Sequence, residues 1–145
     1  MNALRSANGP ATPQRAPVLC VLLAASALFG LVSSASAAST TSFRSPSGNI
    51  HCFLTSDGAA QCWVVSAKCR GYEGATYAYS WAMDATRRPS RFCPGDFVRG
   101  RRVLAYGQQI IKGGNRCVSR QAGVTCTRQA TGHGFFLSRE RQRIF

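Results

Sequence analysis

Acidic side chains are scarce in this chain. Five Asp and Glu face 18 Lys and Arg, giving a formal charge of +13 over 145 residues. That balance excludes an acidic solvating tail. Lysine is nearly missing, with two against 16 Arg, and His51 and His133 are the only histidines. No stretch sustains a helical period, which argues against a helical bundle. Neither G-x-S-x-G nor a glycine-rich phosphate loop after a strand occurs, so serine-hydrolase and nucleotide-binding chemistry lack their signatures. C-x-x-C and H-x-x-x-H spacings are missing too, which leaves no metal framework and no cofactor motif. The hydrophobic fraction of 45% is nevertheless too high for a wholly disordered chain, and the length suits one domain.

What is present begins with an apolar run. Val18 to Val32 is fifteen residues without a charge, preceded by Arg5 and Arg15 and followed by small residues. The run is shorter than the roughly 20 residues of a membrane-spanning helix. Ala35-Ser36-Ala37 fits an A-x-A cleavage signal, so residues 1–37 read as a secretory signal peptide cut after Ala37. No Arg-Arg pair precedes the run, which favours the general secretory route. Cleavage takes away Arg5, Arg15 and no acid. The remaining 108 residues, 38–145, then hold 16 basic and five acidic side chains for a charge of +11, with no second long apolar run. The expected product is secreted or periplasmic and has no integral membrane span.

Six of the seven cysteines survive that cut: Cys52, Cys62, Cys69, Cys93, Cys117 and Cys126. An even count in a small exported domain reads as a disulfide framework. Six cysteines allow 15 pairings. Turn chemistry narrows them. Cys52 and Cys62 flank Ser56-Asp57-Gly58, and Cys117 and Cys126 flank Gln121-Ala122-Gly123, each between β-rich runs. Hairpins there bring both pairs across adjacent strands, which leaves Cys69 for Cys93. Gly48-Asn49 and Gly114-Asn115 lead into the two hairpins alike. That fits either a pseudo-repeat or the same turn chemistry used twice.

The rest of the mature chain alternates short β-like runs with turns. Ala38 to Thr41 reads as a polar lead, Ile50–Leu54 and Gln61–Val65 as strands, and Gly71–Gly74 as a loop. Tyr77, Tyr79, Trp81 and Met83 recur with a period of two, which puts them on one strand face. The row reads as core packing, with a carbohydrate-stacking platform as the alternative. Trp63 and Tyr106 are further aromatic core candidates. Short strands follow at Arg91–Cys93, Arg102–Tyr106, Gln108–Lys112, Cys117–Ser119, Val124–Thr127 and Phe135–Arg139. The expected fold is all-β, a small disulfide-stapled sandwich or barrel built from short antiparallel hairpins and ending in a short basic tail.

Several motifs occur in linked order. They are Ser45-Pro46-Ser47-Gly48-Asn49-Ile50-His51-Cys52, Tyr106-Gly107, Cys117-Val118-Ser119, Gly123-Val124-Thr125-Cys126 and Gly132-His133-Gly134-Phe135-Phe136-Leu137-Ser138-Arg139. Between Phe43 and Arg139 the chain resembles a family of small, secreted, cysteine-rich bacterial proteins with no assigned function. It departs at Ala105, where that family often has Pro before Tyr-Gly. The resemblance implies an exported bacterial domain and carries no catalytic residue across.

Catalytic candidates are few. Asp57 and Asp96 sit in turn signals, and Glu140 lies between Arg139 and Arg141, which leaves Glu73 and Asp84 for a carboxylate pair. His51 and His133 are the candidates for acid–base work in a nuclease-like hydrolase, with Lys68 or an Arg holding phosphate. Flanked by Gly132 and Gly134, His133 suits a tight bend equally well.

Arginine clusters at Arg87, Arg88 and Arg91, at Arg99, Arg101 and Arg102, and at Arg139, Arg141 and Arg143. Such a field concentrates anionic polymers. The last two clusters are the expected binding residues, and anionic envelope polymers or extracellular nucleic acid the expected partners. The leading functional expectation is a non-enzymatic exported envelope module. A small hydrolase using His51 and His133 is one alternative, and an inhibitor or toxin-like protein-binding module is another.

Overall fold

The computed structural model describes residues 36–145. The apolar run Val18–Val32, Cys20 and Ala35 of the expected cleavage site lie outside the described residues. The described chain forms eleven strands: β1 Thr40–Arg44, β2 Ile50–Thr55, β3 Ala60–Arg70, β4 Thr76–Met83, β5 Ser90–Phe92, β6 Arg102–Val103, β7 Gln109–Lys112, β8 Asn115–Arg120, β9 Gly123–Arg128, β10 Gly134–Leu137 and β11 Gln142–Ile144. One 3-10 turn at Tyr72–Gly74 joins β3 to β4. A six-stranded sheet has the order β5-β4-β3-β2-β1-β6, and a five-stranded sheet the order β11-β10-β9-β8-β7. The fold is therefore all-β, as expected, and its two layers make it a sandwich.

Alternation decides which side chains meet between the layers. In β2, Ile50, Cys52 and Leu54 point inward, while Phe53 and Thr55 are half-buried on the other face. In β4 the inward residues are Tyr79, Trp81 and Met83, opposite Val64, Cys62 and Ala60 of β3. These join Ile110, Cys117, Val124, Cys126, Phe135 and Leu137 of the second sheet in one apolar cluster. The aromatic row is core packing over most of its length. Tyr77, at its open end, is half-exposed opposite Cys69.

All three disulfides pair as the turns predict: Cys52–Cys62, Cys69–Cys93 and Cys117–Cys126. Cys52 stands directly across from Cys62, and Cys117 from Cys126, each with Cα atoms 4.1 Å apart. A second tie links the turns of the two sheets. Arg128 Nη1 lies 3.0 Å from the carbonyls of both Gly58 and Gly113, and buried Asn115 donates through Nδ2 to Gly58 O at 2.8 Å. Gly113, at φ 55°, packs so closely on the Thr55 carbonyl that a side chain has no room.

Four readings of the sequence need correction. The polar lead runs into strand β1 at Thr40, because Phe43 is the buried anchor of a strand whose other residues are Thr, Ser and Arg. The strand expected to run to Arg139 stops at Leu137, and the basic tail turns back as β11 against β10, with Phe136 opposite Arg143. Arg102–Tyr106 shrinks to two residues, and these pair parallel with β1 while the other strand pairs are antiparallel. Strand β3 runs on from Val65 to Arg70 through a bulge between Val64 and Lys68.

Candidate functional site

The outer faces of the two sheets are treated differently. On the six-stranded sheet, residues 94–101 lie over His51 and Trp63, which are neighbours across β2 and β3. Trp63 is fully buried although its side chain lies outside the core cluster. Its indole donates to Asp96 O at 3.2 Å, and its ring packs at 6.1 Å on Phe97 and 5.7 Å on Phe53. Gly100 sits against the Phe43 carbonyl at a distance no Cβ tolerates.

His51 holds this segment down. Its Nδ1 accepts from Gly100 N–H at 3.0 Å, and its Nε2 lies 2.9 Å from Gly48 O, to which it donates. An imidazole that accepts at Nδ1 and donates at Nε2 is neutral. Burial lowers its pKa from the ordinary 6.5. The Gly48 bond opposes that shift, and nearby Arg99 and Arg44 add to it. Both ring nitrogens are thus spent on backbone. His133 is half-buried beside the Asp84–Pro89 turn, on a small pocket of about 60 Å³ that His51 does not line. The two imidazoles are not brought together.

The carboxylates do not converge either. Glu73 and Asp84 stand at opposite ends of β4. Eight residues of strand span about 26 Å, against the roughly 5–9.5 Å of glycosidase pairs. Asp84 is occupied locally. It accepts from the backbone N–H of Thr86 and of Arg87, each at 2.8 Å, and these bonds, with the Thr86 hydroxyl and the Arg87 charge, hold its carboxyl below the usual range. Asp57 accepts from Thr55 Oγ1, and Glu140 from Ser138 Oγ at 3.2 Å. The one group of candidate metal ligands among the described residues is Cys52, Cys62 and Cys126. All three are already in disulfides, so no thiolate is left to hold an ion.

The arginines define the remaining surface. Among the described residues a single ion pair forms, Arg87 Nε to Asp84 Oδ2 at 3.2 Å. The six sequence-selected arginines are not all brought together. Arg99, Arg101 and Arg102 line an open groove of about 610 Å³ along β1, with Thr40, Thr41 and Ser42. Arg139 instead lines a polar pocket of about 170 Å³ between loops, facing Ser47, Asn49, Tyr106 and Arg120. Arg141 lies over the Phe136 ring at 5.6 Å, and Arg143 over Phe145 at 5.5 Å.

Sequence reasoning passed over Arg116 and Arg120. In β8 these alternate with buried Asn115, Cys117 and Ser119, so they project from the outer face of the five-stranded sheet. The signal was present as a period of two.

Fold and surface together define a small disulfide-stapled β-sandwich with a cationic exterior. Residues 21–145 match the model of a family of unknown function, DUF6636, and the chain belongs to that family. No curated protein and no solved structure matches it. Three disulfides fit an oxidising compartment, and among the described residues no helix is long and apolar enough to cross a membrane.

Proposed function

We propose that the protein is an exported, non-enzymatic module, secreted or periplasmic, that holds anionic polymers through its arginine surface. One observation carries this reading. A mature chain with 16 basic and five acidic side chains forms a single ion pair among its described residues, so nearly all of its positive charge faces solvent uncompensated. Guanidinium groups suit the task because their planar fork matches carboxylate and phosphate oxygens. The available partners after export are anionic envelope polymers and extracellular nucleic acid. Arg99, Arg101 and Arg102 offer one contact surface, and Arg139, Arg141 and Arg143 the other.

Salt-dependent binding tests the reading. On duplex DNA, log affinity falls against log salt with a slope near −0.9 per phosphate contact, so replacing either trio by Ser flattens the slope by up to ~3 units. Base sequence has no influence, because backbone contacts carry no sequence information. Binding that ignores salt, or that survives loss of all six arginines, overturns the reading.

A further inference from the structure

The outer face of the five-stranded sheet is bare. Its central side chains, Val118, Thr125, Thr127 and Phe136, are all half-exposed. The corresponding face of the six-stranded sheet buries Trp63 completely. Cross-strand register fixes what the bare face presents. One row runs Gln109, Val118, Thr125, Phe136, Arg143, and the next runs Ile111, Arg116, Thr127. Arg120 continues the β8 line, and the Arg141 guanidinium reaches the same face over Phe136. Between the arginines lies a depression of about 370 Å³ lined by Arg116, Val118, Arg120, Thr125, Thr127 and Gln129.

We infer that this face is a binding platform for an acidic polysaccharide, an assignment that rests on the anionic-polymer reading above and gives it a site. Four arginines frame the platform. Arg116 and Arg120 are four residues apart on one strand, about 13 Å, and Arg143 lies three strands from β8, about 14 Å away. That frame is too wide for one small anion and suits charges repeated along a chain. Its floor is hydroxyl and amide, from Thr125, Thr127 and Gln129, with the apolar Val118 beside them. Hydroxyl-rich sugar edges and apolar ring faces match such a floor. Single-stranded nucleic acid matches it less well, because base stacking needs a free aromatic plane and the Phe136 plane is taken by Arg141. The nearest carboxylate in sequence, Glu140, is drawn to Ser138 Oγ.

The test uses the disulfide-bonded protein at low salt with three probes: polygalacturonate, neutral dextran and oligothymidylate. Polygalacturonate is expected to bind, dextran not. Arg116→Ser with Arg120→Ser should weaken polygalacturonate about tenfold, as loss of two exposed ionic contacts implies. Arg99→Ser with Arg101→Ser, in the groove along β1, should weaken it less than the Arg116/Arg120 variant does. Thr125→Val with Thr127→Val keeps strand propensity and shape and should weaken polygalacturonate several-fold while leaving oligothymidylate untouched. If the groove variant loses binding and the Arg116/Arg120 variant keeps it, the platform is overturned and the general reading stands. If neither polyanion binds the unaltered protein, both fail. An equal effect of the Val substitutions on both polymers, or none on either, shows that charge alone is read and overturns the polysaccharide assignment.

Discussion

The sulfur of Cys62 lies 3.8 Å from the sulfur of Cys126, so the two cross-strand disulfides touch at the centre of the sandwich. Each closes its own hairpin, and the two meet inside the apolar core between the layers. Replacing Cys117 and Cys126 together by Ala removes one bridge over a sequence separation of nine residues. The chain-entropy model puts the loss at about 3 kcal/mol. Urea unfolding should report a loss of stability of that size, and peptide maps without reduction should give three uncrossed bridges in the unaltered protein.

Acid should loosen the segment over Trp63. His51 must be neutral to accept from Gly100 N–H, and its pKa in the folded protein lies below the unfolded value. The unfolded chain therefore binds the proton first. Stability falls as pH drops below about 6.5 and levels off once the folded imidazole also takes its proton. Urea midpoints between about pH 7 and about pH 5 measure this limb. His51→Gln should flatten the His51 contribution to it.

Gly100→Ala should unseat the same segment by a different route. The new methyl group meets the Phe43 carbonyl, which belongs to a paired strand and does not yield. A loss of roughly 1–3 kcal/mol is expected, as for other overpacking substitutions. Tryptophan emission should shift to the red in part, because Trp63 becomes wet while Trp81 stays in the core. Unchanged emission would mean the segment accommodates the methyl group in place.

The proposed export makes a prediction about the amino terminus. Mass spectrometry of the exported protein should find it at Ala38 or within about one residue, following the A-x-A rule. An intact Met1 on exported material would refute the signal-peptide reading.

Disulfide pairing was legible in the sequence because turn residues sit midway between the cysteines of two hairpins. The β content was legible because Tyr77 to Met83 alternates without a competing helical period. Strand β1 was hidden because Phe43 is its one fully buried apolar residue. Strand β11 was hidden because a run rich in Arg carries no apolar alternation, and its pairing comes from the neighbouring strand. The cover over Trp63 was illegible for another reason. It depends on Gly100 meeting Phe43, far apart in the chain, and local patterns do not encode such meetings. The arginine frame was half legible. Clustering in sequence drew attention to Arg141 and Arg143, whereas Arg116 and Arg120 are isolated in the chain and reach the platform only through the register of β8.

The parallel seating of β6 against β1 has a consequence for the order of folding. Each strand of the five-stranded sheet pairs with its neighbour in sequence, and such local contacts form quickly. The six-stranded sheet closes only when residues 100–103 return to β1. A chain threaded through a pore amino end first exposes β1 and Trp63 well before those residues emerge. Until they do, β1 is an open strand edge that invites pairing with another molecule. A chain stopped short of Gly100 would keep that edge, so residues 100–103 are what shields β1 from pairing with another molecule.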